Sequence, residues 1–140
     1  MKVITIEGGK DAGKTTLVRN VLRRLVNDGA EVVFYEACGY LYPDFHAVVI
    51  WRARKITLCS IGDLFSYVQG GVKRAKENSS DILLNTRTLT VEEGKYKQLL
   101  PTDCDLRSVP VAAPPKDVNT EAFIKQNQAA LESIMEMLSE

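Results

Sequence analysis

Gly8, Gly13, Lys14 and Thr15 fall at the spacing G-x-x-x-x-G-K-T, within the segment GGKDAGKT at residues 8–15. Each residue type has a chemical reason to stand there. Gly8 lets the backbone turn sharply, and Gly13, with no Cβ, lets main-chain N–H groups come close to an anion. The amides of Gly9, Lys10, Asp11, Ala12, Gly13, Lys14 and Thr15, with Thr16 behind them, can form a nest for phosphate oxygens at the positive end of a helix. Lys14 supplies a point charge for the β- and γ-phosphates, and Thr15 Oγ is a hard oxygen donor for Mg²⁺. The expected ligand is a nucleoside triphosphate with Mg²⁺, ATP in the first place with GTP left open.

Such chemistry needs a second carboxylate to hold or orient the metal's shell. Asp63, which follows the apolar run ITLCSIG, is the first choice for that metal role, although it also suits the N-cap of a following helix. Glu36, at the end of the run EVVFYE, is the second, as a metal-shell residue or a base for an acceptor hydroxyl. Charge developing on the transferred group calls for a cation. Arg87 after DILLNT is preferred, with Lys10, Lys95 and Arg107 as alternatives. For each of these a solvated surface charge is the plainer account. Tyr40, Tyr42 and Phe45 either line an acceptor pocket or cover a sheet edge. His46, the one histidine, receives no catalytic role.

The elements that must position these groups follow from periodicity. Residues 2–7 (KVITIE) read as a buried strand running into the glycines. Apolar positions in residues 15–28 recur at helical spacing, and Gly29 stops the helix. Residues 31–36 read as a second apolar strand, completing a strand–helix–strand unit. The runs at 47–51 and 56–61 are joined by only four residues, so as two strands they form an antiparallel hairpin within 47–61, with one long bent strand as the competing reading. A helix to about residue 77, a strand at 81–86, a short helix near 91–99, a strand at 108–112 and a last helix capped by Asn119 or Thr120 complete the order. Pro114-Pro115 mark a loop. The expectation is one three-layer α/β domain over residues 1–140, with a mostly parallel sheet of five or six strands and at least one antiparallel member.

Composition narrows the partners. Lysines and arginines number 18, as do aspartates and glutamates, so bulk charge recruits neither nucleic acid nor membrane. The cationic tip Arg52, Arg54 and Lys55 is read as a solvated hairpin end, with a polynucleotide or acidic partner as the sharper alternative. No apolar run reaches the roughly 20 residues that span a bilayer, and the N-terminus has no signal-peptide pattern. Cys38, Cys59 and Cys104 form no ligand cluster and read as reduced thiols of a cytoplasmic protein.

The stretch IEGGKDAGKTTLVRNVLRRL resembles the start of the P-loop nucleotide kinases, thymidylate kinase in particular, through Glu7-Gly8-Gly9 and Lys14-Thr15-Thr16. The likeness covers about the first quarter of the chain, and no Asp-Arg acceptor pair follows. The resemblance implies a P-loop NTPase fold and Mg²⁺-assisted transfer of the γ-phosphoryl group to a small acceptor, with Glu36 near that family's acceptor-facing acid. GTPases are similar in the hairpin before an acidic residue, but Asn85-Thr86-Arg87-Thr88 lacks the aspartate that reads guanine. The second expectation is a slow NTPase or nucleotide-dependent switch acting on a protein or nucleic acid.

Overall fold

A computed structural model describes residues 1–10, 12–38, 44–113 and 120–140. In chain order the elements are β1 (Lys2–Gly8), α1 (Lys14–Asn27), β2 (Glu31–Cys38), β3 (Asp44–Trp51), β4 (Arg54–Cys59), α2 (Phe65–Glu77), β5 (Ile82–Thr88), α3 (Glu93–Leu99), β6 (Asp105–Pro110) and α4 (Thr120–Ser139). The expectations at Asp11, Tyr40, Tyr42, Pro114, Pro115 and Asn119 lie outside the described residues.

The six strands form one mixed α/β sheet in the order β2-β3-β4-β5-β1-β6. β4, β5, β1 and β6 pair in parallel, while β3 is antiparallel to both β2 and β4. Only β3 therefore runs against the other strands. Its start lies at the edge of the sheet where the parallel strands end.

The two-residue alternation of β1 and β5 divides the core between two faces. Ile4, Ile6, Ile82 and Leu84 point to one side and pack with Leu17, Val18, Val21 and Leu25 of α1 and Ile134 and Leu138 of α4. Val3 and Leu83 point to the other and pack with Val68, Val72 and Ala75 of α2 and Tyr96 of α3. Burying each large aliphatic side chain contributes about 1.5–3 kcal/mol. The glycine loop thus leads into a helix clamped on one face, and α2 and α3 are clamped on the other.

The hairpin is longer than its apolar runs, with strands at residues 44–51 and 54–59 and a two-residue tip. Arg52 and Ala53 both have positive φ, 49° and 62°, the handedness that suits a tight hairpin but is costly without glycine. Side-chain contacts offset that cost. The Arg52 guanidinium lies 4.2 Å from the Trp51 ring centroid, and Arg52 and Trp51 Nε1 both donate to Asp28 beyond the end of α1. Arg54 donates to the carbonyls of Leu138 and Glu140, and Lys55 Nζ to that of Asn78. All three cations of the tip are engaged within the chain.

β2 departs from expectation. It runs in the same direction as β1, but β5, β4 and β3 lie between them, so β2 is an edge strand. Residues 31–37 are all exposed, including Val32, Val33, Phe34 and Tyr35. Apolar run length alone cannot separate a central strand from an uncovered edge. β6 also begins earlier than expected, at Asp105, and β5 extends to Thr88.

Candidate functional site

The loop between β1 and α1 is shaped by close approach. A Cβ on Gly8 would stand 2.7 Å from the Val111 carbonyl oxygen, so no larger residue fits. Gly13 has φ 83° and is the N-cap of α1, with Leu17 N donating to its carbonyl at 3.0 Å. That left-handed conformation favours glycine, and a Cβ there would also meet Phe123 of α4 at 3.1 Å. Gly9 has open space around it, so sterics do not demand glycine there. Ala12 is buried, and Lys10 and Thr16 are exposed.

Lys14 is buried at 7% exposure, and its ammonium donates to the carbonyls of Gly9 at 2.6 Å and Gly8 at 3.3 Å. It bends back over the loop that precedes it. Both acceptors are neutral, and a phosphate oxygen is a stronger acceptor for an ammonium than a carbonyl is.

Thr15 Oγ donates to Asp44 Oδ1 at 2.9 Å, and Ser60 Oγ donates to the same oxygen at 3.0 Å. Ser60 also accepts from the amide of Phe45 at 2.8 Å, tying the start of β3 to the residue after β4. This brings a carboxylate to the threonine of the glycine loop. Asp44 lies outside the expected site residues, because the apolar run that marks the hairpin begins three residues later, at Ala47. The available signal was the hairpin itself. An antiparallel strand starts where its parallel neighbours end, which is where ligands collect in such sheets.

Asp63 has different company. Its carboxylate accepts from Thr88 Oγ at 3.2 Å, and Thr88 is the register partner of Gly8. β5 separates β4 from β1, so Asp63 is reached from the loop across the end of β5. It does not cap α2, whose N-cap is Leu64 without a side-chain cap bond. Gly62 fixes its approach, since a Cβ there would stand 2.2 Å from the Thr86 carbonyl oxygen.

Arg87 is not brought to the glycine loop as an open cation. It lies inside β5, on the face shared with Leu83, and is buried at 4% exposure. Its guanidinium donates to Glu7 Oε2 and to the Val91 carbonyl, both at 2.6 Å, and Ser108 Oγ donates to Glu7 Oε1. The two-residue period sends Arg87 toward α2 and α3, whereas the loop's helix lies on the opposite face. Glu36 is exposed on β2 opposite His46, two residues beyond Phe34, whose ring carries Arg74 of α2. It belongs to that face as well.

Among the other cations, Arg107 is held by Asp105 and Glu140, and Lys95 lies 4.0 Å from Glu92. Arg19, one turn after Thr15, lies 5.6 Å from the Phe45 ring centroid and was not foreseen. Phe45 is fully buried and stacks on Tyr35, with ring centroids 5.5 Å apart. His46 Nδ1 lies 2.9 Å from Cys59 Sγ. Burial, then Arg74, lowers the His46 pKa, and burial pushes the Cys59 thiol up to about 12, so both stay neutral near pH 7. Asn127 of α4 stands beside Gly13, and its buried Oδ1 has no hydrogen-bond partner among the described residues.

Among the described residues no three His, Cys, Asp or Glu side chains gather as metal ligands. A hydroxyl and a carboxylate oxygen 2.9 Å apart suit Mg²⁺, which takes few protein ligands and keeps waters and phosphate oxygens. No helix among the described residues is long and apolar enough to cross a membrane. Compared with protein-family models, curated proteins and solved structures, the chain finds no match.

Proposed function

We propose that this chain binds a nucleoside triphosphate, ATP in the first place, with Mg²⁺ and transfers its γ-phosphoryl group to a small acceptor. One observation carries the reading: the buried Lys14 ammonium over the Gly8–Gly9 carbonyls, one residue from a threonine hydroxyl bonded to Asp44. A buried lysine whose ammonium rests on exchangeable loop carbonyls makes a good phosphate contact, since a phosphate oxygen is the stronger acceptor.

In this reading the loop amides and Lys14 hold the triphosphate, and Thr15 and Asp44 take the metal. Mg²⁺ supplies charge neutralisation across the β- and γ-phosphates. Asp44 replaces Asp63 in the metal role because it contacts Thr15. Arg87 holds Glu7 and takes no direct part.

Thermal shift with ATP, GTP, ADP and GDP, each with and without Mg²⁺, tests the reading. A ligand at a hundred times its Kd stabilises by about 2.7 kcal/mol. Triphosphates with Mg²⁺ should raise the melting temperature, and Lys14→Ala should cut the rise by half or more while leaving the unliganded melting temperature within a few degrees. No response to any triphosphate would end the proposal.

A further inference from the structure

On the opposite face of the sheet end from α1, a cavity of ≈ 850 Å³ opens between the start of α2 and α3. Asp63, Leu64 and Phe65 form one wall, and Glu92, Lys95 and Gln98 are among those opposite. Its size falls within the range of small-molecule sites, about 300–1,000 Å³.

Two observations tie this cavity to the glycine loop. Leu89 N donates to the Gly8 carbonyl at 3.1 Å, so the chain leaves the loop's first residue and enters the cavity wall at Thr90. Asp63 bonds Thr88, the partner of Gly8 in the sheet, and so stands at the seam between the loop and the cavity. The buried Arg87–Glu7 pair braces this seam by holding the Val91 carbonyl of the wall.

Resting on the function proposed above, we infer that this cavity is the acceptor subsite, and that it takes an uncharged or cationic alcohol rather than a phosphorylated one. Two carboxylates, Asp63 and Glu92, face a single ammonium, Lys95, which itself lies 4.0 Å from Glu92. The lining therefore carries excess negative charge. A nucleoside monophosphate or sugar phosphate would bring about two more negative charges, and among the described lining residues no cation besides Lys95 meets them. Leu64 and Phe65 are exposed along the wall and offer an apolar surface for the acceptor's body.

The acceptor hydroxyl oxygen forms a bond to the γ-phosphorus. The bond from that phosphorus to the β,γ-bridging oxygen breaks, its electron pair leaves on the nucleoside diphosphate, and the hydroxyl proton passes to the Asp63 carboxylate. Glu92 sets the charge of the pocket without touching the reacting atoms.

The test uses the full chain with Mg²⁺ and ATP and compares alcohols with their own phosphates. Thymidine, glycerol and ethanolamine are set against thymidine monophosphate, glycerol phosphate and phosphoethanolamine, reading ADP release and the phosphorylated product by mass spectrometry. At least one unphosphorylated alcohol should raise ADP release tenfold or more and yield its monophosphate. Asp63→Asn should lower kcat about a hundredfold or more, the scale of general base catalysis, with ATP binding by calorimetry unchanged. Glu92→Lys should raise KM for ethanolamine by several-fold while leaving kcat near wild type. If ATP binds and only the phosphorylated acceptors respond, or none does, the inference is overturned while the proposed function's binding step stands. If ATP does not bind, both fall.

Discussion

Two buried polar clusters lie on opposite faces of the sheet and are closed in different ways. On the α2–α3 face, Thr5 donates to Asn85 Oδ1 at 2.9 Å, Thr5 and Tyr96 share a hydroxyl–hydroxyl bond, and Asn85 Nδ2 donates to Tyr96 at 3.1 Å. Every partner in that group is another fixed side chain from β1, β5 or α3. On the α1 face, Lys14 is bonded to carbonyls of its own loop, and Thr15 and Ser60 converge on one oxygen of Asp44. The first cluster satisfies itself and can only hold the scaffold together. The second sets an ammonium on loop carbonyls and two hydroxyls on one carboxylate, partners that, on the function proposed above, a phosphate and a cation would replace. Buried polarity alone does not mark a site; replaceable partners do.

The sharpest way to break this contrast is Lys14→Ala. Removing charge-assisted bonds worth about 1.5–3 kcal/mol should weaken ATP binding roughly ten- to 150-fold by calorimetry. Unfolding by urea should move far less than binding does. An equal loss of stability would make the two clusters alike.

Tyr96→Phe is the mirror experiment. Removing a hydroxyl from a closed buried network should cost about 1–3 kcal/mol of unfolding free energy, read from the urea midpoint, with ATP affinity unchanged. A loss of affinity would show that the scaffold cluster also serves the ligand.

Asp44→Asn separates charge from shape within the loop cluster. The amide can still accept from Thr15 but attracts a cation less. The ratio of ATP affinity with Mg²⁺ to that without it should fall by about tenfold, or ~1.4 kcal/mol. An unchanged ratio would remove Asp44 from the metal role.

The smallest effect is alkaline. Burial, against the opposing hydrogen bonds from Thr5 and Asn85, raises the Tyr96 pKa above its ordinary 10.0. The folded state therefore prefers the neutral phenol. Its stability contribution is complete below pH 10 and declines as pH rises through the folded pKa. Urea midpoints from pH 9 to 11 should fall more steeply for wild type than for Tyr96→Phe, and parallel curves would contradict the shift.

Much of the layout was legible in the residues, for a local reason. The GGKDAGKT spacing, the helical period after it and the stop at Gly29 depend on neighbours within a few turns, and α1 spans Lys14–Asn27 as that pattern requires. The hairpin was legible too, because a short connection permits only antiparallel pairing. Its ends were not. The β3 pairing that carries Asp44 to Thr15 depends on bulk contacts of the sheet and not on the apolar run at 47–51. The exposure of β2 was hidden as well, since EVVFYE has the composition of a buried strand.

By itself the sequence determined that a glycine turn stands between a strand and a helix, because glycine spacing and amphipathic period act over short stretches of chain. Only the tertiary structure decided which charges meet. Thr15 finds Asp44 across 29 positions and Arg87 finds Glu7 across 80. Both partnerships follow from the order β3-β4-β5-β1 and from the face on which each strand residue falls. A strand's neighbours are chosen by the burial of the whole sheet, and no local pattern records that choice.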